Sequence, residues 1–171
     1  MSRSFDRVAD HPDSVEKVLR ALADEQYWLA WLADCGADDA TLDSMRVGAD
    51  GSVEVASTQT LRHDRLPGIV TQFYKGDLQM KREESWSAIS DGKTTCIITG
   101  SMPGIPVKMS GTGHLTPHPA DVDAAQLRVQ ASVEVRIPVV GGKIEKVIGN
   151  QLMDMVTTRR HFTNEWISQN S

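Results

Sequence analysis

The run Leu127-Arg128-Val129-Gln130-Ala131-Ser132-Val133-Glu134-Val135-Arg136-Ile137 alternates without a break. Leu127, Val129, Ala131, Val133, Val135 and Ile137 form one set, and Arg128, Gln130, Ser132, Glu134 and Arg136 the other. A period of two gives each set its own face of a strand, one buried and one wet, as in an antiparallel sheet. Beyond Gly141-Gly142 the period becomes 3.6 and holds to the end of the chain. At 100° per residue from Ile144, one face collects Ile144, Ile148, Gln151, Met155, Arg159, Phe162 and Trp166, with Val147 and Leu152 beside it. Such a helix has roughly 25 residues and spans about 37 Å, enough to cross a small domain.

Working back from this point, period two extends from Thr41 to Pro138. Ala49-Asp50-Gly51 and Ser90-Asp91-Gly92 are hairpin signals, the second between Leu78–Ile89 and Thr94–Ser101. Val107 to Leu115 carries Val107, Met109, Gly111, Gly113 and Leu115 on one face, and glycine inside a strand marks a bend or a close approach. Before the β-rich part, Ser2 to Ala9 alternates as a strand. Pro12 and the capping-box spacing of Asp13 to Glu16 open a helix through Val15, Val18, Leu19 and Leu22. A second helix over Tyr27 to Leu32 is apolar nearly all round and should be sandwiched, with Gly36 as its stop. One strand, two short helices, about six strands and one long helix predict an α+β domain over residues 1–171, a single antiparallel sheet wrapped around the last helix.

The 171 residues fit one domain, for which roughly 100–200 is usual. Eighteen Lys and Arg against 23 Asp and Glu give a net charge of -5, which offers no global attraction to nucleic acid or an anionic membrane. Cys35 and Cys96 have neither a CxxC nor metal-type spacing and are expected as reduced thiols. Met-Ser-Arg-Ser-Phe-Asp-Arg lacks the apolar core of a signal peptide, and no apolar run approaches the roughly 18 residues a spanning helix needs. A soluble, cytoplasmic protein without stable membrane insertion is the expectation.

Three stretches carry a resemblance: Thr60-Leu61-Arg62-His63-Asp64-Arg65-Leu66-Pro67-Gly68, Phe73-Tyr74-Lys75-Gly76-Asp77-Leu78 and Val139-Val140-Gly141-Gly142-Lys143-Ile144-Glu145. The ending Phe162-Thr163-Asn164-Glu165-Trp166 adds to it. With the order of elements, they resemble an uncharacterised, mostly actinobacterial family within the START-like superfamily, also called SRPBCC, Bet v 1-like or polyketide cyclase-like. The resemblance covers nearly the whole chain. It implies a helix-grip fold, with a seven-stranded curved antiparallel sheet around a long C-terminal helix, two short helices after the first strand, and a cavity between sheet and helix. It implies no reaction and no catalytic residue. Relatives in the superfamily bind lipids, sterols, polyketides or plant hormones, and a minority catalyse cyclisation or hydrolysis.

The informative residues are polar ones on faces that should be apolar. If Leu78, Met80 and Trp86 face the helix, the period of two turns Arg82 and Glu84 inward as well. The helical projection adds Gln151 and Arg159. A buried charge without a partner costs several kcal/mol, so these four should meet each other, water or a ligand. One reading is a polar floor that orients a ligand's head group; the other is a solvated rim, or a closed ion pair of Glu84 with Arg82 or Arg159. Met80, Met109 and Met155 fall on inner faces, where flexible side chains suit a pocket and fill a core equally well. The candidate ligand-binding set is therefore Met80, Arg82, Glu84, Trp86, Met109, Gln151, Met155 and Arg159. The apolar irregular stretch Arg62 to Asp77 reads as a gate over the cavity mouth or as a short helix packed on the sheet edge.

Other chemistry finds no support. His11, His63, His114, His118 and His161 have no metal-ligand spacing, and there is no Gly-x-Ser-x-Gly elbow. His63-Asp64 reads as a surface turn. Gly141-Gly142-Lys143 lacks P-loop spacing and a preceding βαβ unit. No metal and no cofactor is implied. The leading expectation is a binding module for a hydrophobic small molecule or lipid. The alternatives are a cyclase- or hydrolase-type enzyme in the same cavity with Glu84 as acid/base, and a filled-core interaction protein.

Overall fold

The computed structural model describes residues 2–170. Its elements are β1 (Ser2–His11), α1 (Val15–Leu22), α2 (Glu25–Asp34), β2 (Asp39–Val47), β3 (Val53–Leu61), a 3-10 turn (His63–Arg65), α3 (Gly68–Thr71), β4 (Leu78–Trp86), β5 (Thr94–Ser101), β6 (Val107–His118), β7 (Asp121–Val135) and α4 (Gly141–Asn170). The seven strands form one antiparallel sheet in the order β1-β7-β6-β5-β4-β3-β2. Consecutive strands are joined by hairpins, and β1 returns to pair with β7. α1 and α2 carry the chain from one sheet edge to the other, so the concave face is covered by these two helices and by α4. This is the helix-grip arrangement.

Each hairpin rests on a local cause. Asp91 and Gly92 both have positive φ, 52° and 75°, the conformation that two-residue hairpin turns require. At Gly111, a side chain would press on the carbonyl of Gln130 in the neighbouring strand, 2.9 Å from where a Cβ would lie. β6 and β7 can therefore approach and curve there as they could not with any other residue.

The helices differ in detail from expectation. Ser14, not Asp13, caps α1: its hydroxyl accepts the Lys17 N–H, while Asp13 forms an ion pair with Lys17. α2 begins at Asp24, whose carboxylate accepts from Gln26 N, and it ends just before Gly36, whose φ is 87°. Tyr27, Trp28, Trp31 and Leu32 are buried but Leu29 is exposed, so α2 has an open side and is not fully sandwiched. α4 has 30 residues, longer than the periodicity suggested, and is about 45 Å long.

α4 rests chiefly on β1 and β7. Gly149 permits this contact, because any side chain there would overlap the Phe5 ring. Lying along one side of the concave face, α4 stands off β3, β4 and β5. Two apolar clusters fill the grip. One gathers α1, α2 and the tryptophans; the other gathers Leu66, Leu78, Met102, Ile144 and Ile148 at the opposite end. No helix among the described residues is long and apolar enough to cross a membrane.

Candidate functional site

β4 delivers Leu78, Met80, Arg82, Glu84 and Trp86 to the concave face, as its period of two requires. Glu84 is only 3% exposed, and its carboxylate meets four donors. Oε1 takes Nη1 of Arg159 and Nη2 of Arg82, the latter at 2.7 Å. Oε2 takes Nη2 of Arg159 at 3.0 Å and the Trp86 indole N–H at 3.2 Å. Three of these contacts are hydrogen bonds and the one with Arg82 is an ion pair, so most of the carboxylate's roughly four lone-pair sites are engaged. Burial alone would raise its pKa; Arg159 first and Arg82 second outweigh that and hold it at about 2. Burial also works against the charge of Arg159, and the facing carboxylate raises its pKa in spite of it.

Arg159 is anchored on its other side as well. Its Nε donates to the Tyr27 hydroxyl at 3.3 Å, and its guanidinium lies 4.5 Å from the centre of the Trp28 ring. Tyr27 and Thr163 hydroxyls are 2.8 Å apart, and Thr163 donates to the Arg159 carbonyl at 2.7 Å. The directions are then fixed: Arg159 donates to Tyr27, Tyr27 to Thr163, and Thr163 back to the backbone of Arg159. Arg82 is less well served. Nη1 points at the thioether of Met155 at 3.3 Å, a weak acceptor, and its buried Nε makes no hydrogen bond to the protein.

Four cavities run along the face that α4 leaves open. The first, about 90 Å³, lies under the 62–77 segment. The second, about 310 Å³, sits between α4, β3, β4 and the loop after α2. Leu61, Leu78, Met102, Ile148 and Gln151 line both. A third, of about 40 Å³, shares Met80 and Leu152 with the second, and a fourth, about 50 Å³, shares Arg82, Ile98, Val129 and Val156 with the third. The fourth reaches the Glu84 cluster. Between the two apolar clusters the grip thus keeps several cavities with mostly apolar walls, and the Glu84 cluster borders the fourth.

The structure places the predicted residues as follows. Arg82, Glu84, Trp86 and Arg159 meet in one cluster, and Met155 touches it through Arg82. Glu84 forms an ion pair with both Arg82 and Arg159. Met80 lines the second and third cavities, Met109 the third. Gln151 lines the first two cavities but is exposed at their rim, where a buried position was expected. The 62–77 segment is more ordered than an irregular gate, with its 3-10 turn, α3 and the buried Leu66. Its neck is tied: Asp77 accepts from His63 N at 3.0 Å, and Asp38 accepts from Arg62 N and pairs with Arg65.

Sequence reading missed Tyr27, Trp28 and Thr163 as partners of Arg159. It also missed buried Glu145, whose carboxylate accepts the N–H of Val135 at 2.9 Å, and buried His11, whose Nδ1 lies 2.7 Å from Asn164 Oδ1. Burial lowers the pKa of His11 and keeps it neutral. Cys35 and Cys96 are free thiols, as expected; Cys35 lines the second cavity, and burial pushes the Cys96 thiol up. Among the described residues no cluster of His, Cys, Asp and Glu could hold a metal ion.

Comparison with known proteins agrees with this architecture. The model of a family described as "Protein of unknown function (DUF2505)" matches residues 7–167. Uncharacterized proteins of Mycobacterium tuberculosis and Mycobacterium bovis are 44% identical over 174 residues, covering 99% of this chain and 99% of theirs. Among solved structures, the Zhui aromatase/cyclase of Streptomyces sp. R1128 has a similar fold at a TM-score of 0.63 and 8% identity, over 99% of this chain and 95% of that one. A START superfamily protein of Mycobacterium smegmatis matches at 0.53 and 13%, over 98% and 99%.

Proposed function

The chain belongs to the family described as "Protein of unknown function (DUF2505)", and from that premise we propose a START-like binding module that holds a hydrophobic small molecule or a lipid between its sheet and α4. One observation carries the reading: the second cavity, about 310 Å³, walled by Leu61, Leu78, Met80, Met102, Ile148 and Met155. That volume falls in the range of roughly 300–1,000 Å³ typical of small-molecule sites, and the wall is apolar with a few convergent polar groups nearby. Affinity would come from apolar burial at about 25 cal/mol per Å². The 62–77 segment would cover the entrance. A cytoplasmic protein with a small-molecule partner, free of nucleic acid, fits the net charge of -5.

The enzyme reading with Glu84 as acid/base is disfavoured by the chemistry of that residue. A carboxylate held at about 2, accepting three hydrogen bonds and paired with a second guanidinium, is a poor proton acceptor, and it carries no proton to donate at neutral pH. The hollow grip speaks against a filled-core interaction protein.

Native mass spectrometry of protein purified gently from a lipid-rich bacterial host, set against the denatured mass, tests the proposal. We expect an excess mass that disappears on denaturation and whose carrier organic extraction can identify. No excess mass, together with no binding of added lipids, would overturn it.

A further inference from the structure

Charge inside the grip does not balance. Among the described residues lining the four cavities, Glu84 is the one carboxylate, against Arg82, Arg159 and Arg160 in the fourth cavity. Arg159 engages both oxygens of Glu84 and accounts for its charge. Arg82 then shares one oxygen already taken, turns Nη1 to a thioether and leaves Nε without a protein acceptor. Among the described residues Arg160 is in no ion pair; its Nη2 lies 3.2 Å from His161 Nε2 on the exposed side of α4, and its Nε is buried without a partner. The other titratable groups there, His11 and Cys96, are both kept neutral by burial and supply no negative charge.

Resting on the binding function proposed above, we infer that the ligand is an amphipathic organic anion, its tail in the apolar cavity and its carboxylate, or a like head group, on the guanidinium of Arg82. Arg82 has the position for it. It borders the third and fourth cavities, and Met155, its thioether neighbour, lines the second and the fourth. A tail seated among Leu61, Leu78 and Met80 would pass Met155 to bring its head group to Nη1. Nη1 can give a carboxylate one charge-assisted hydrogen bond in place of its weak thioether acceptor, while Nε faces the other side of the guanidinium. A neutral ligand of the same length would fill the tail site and leave the excess cation uncompensated.

The test compares decanoate with 1-decanol by titration calorimetry at neutral pH on the full chain, in wild type and in Arg82→Met. We expect decanoate to bind at least about tenfold more tightly than decanol in wild type, a difference of about 1.4 kcal/mol. The ratio should fall to near one in Arg82→Met. Equal affinities in wild type would overturn this inference and leave hydrophobic binding standing. A preference for decanoate that survives Arg82→Met would overturn the assignment to Arg82. Binding of neither compound would remove the proposed function and this inference with it. The wild-type ratio stands whether or not the variant folds.

Discussion

Glu84 shows what one residue can do to the pH response of a fold. Its pKa is near 2 in the folded protein and near 4.5 without its partners, so the stability it contributes is complete above about 4.5 and is lost as pH falls through 2. The shift corresponds to about 3 kcal/mol. His11 acts earlier on an acid titration: its lowered pKa favours the neutral form, so its contribution is present above 6.5 and declines below. We expect Glu84→Gln to cost about 3–5 kcal/mol near neutral pH, because two guanidiniums lose their counter-charge. It should also flatten the slope of stability between pH 4.5 and 2, while the His11 part of the curve remains. Urea midpoints across pH for both proteins check this. The inward turn of Arg82 and Glu84 was legible from strand periodicity alone. Their closure on Arg159 was one of the readings left open, since no pattern decides which residues of a sheet and a distant helix come within 3 Å. Tyr27 and Thr163 carried no signal: one sat in an apolar helix where a hydroxyl looks incidental, the other off the apolar stripe.

At the scale of elements, α4 and β1 are fitted to one another by a missing side chain. Gly149 lets the helix settle on Phe5, and a Cβ there would overlap the ring. Gly149→Ala should therefore destabilise by about 1–3 kcal/mol through overpacking, although alanine favours helices. In a Phe5→Ala background the sign should reverse, with Gly149→Ala stabilising by up to about 1 kcal/mol. A double-mutant cycle by chemical denaturation measures the coupling. The period of α4, the alternation of β7 and both hairpin turns were readable because each is a local rule repeated over many residues. Gln151 marks where such a rule fails. It lies on the apolar stripe between Ile148 and Met155, but a helical projection gives a direction only. Exposure depends on whether another element waits there, and at Gln151 a cavity does. Buried Glu145 is the converse case, a carboxylate whose partner is a backbone N–H that no sequence pattern reveals.

The whole molecule is a sheet gripping a helix it touches along one side, and the open side is a row of voids. Ligand chemistry is one consequence; the response to mechanical compression is another. Unfolding eliminates internal voids, so the volume change of unfolding becomes more negative as they grow. A protein with such cavities should unfold at modest hydrostatic pressure. Its tryptophans at 28, 31, 86 and 166 report the transition through fluorescence. Saturation with decanoate should do more than raise the midpoint, as any ligand of the folded state would. By occupying the largest of the four cavities it should make unfolding free energy fall less steeply with pressure. An unchanged slope would mean that the added chain sits outside the grip. The same 310 Å³ that makes room for a guest makes the empty protein soft.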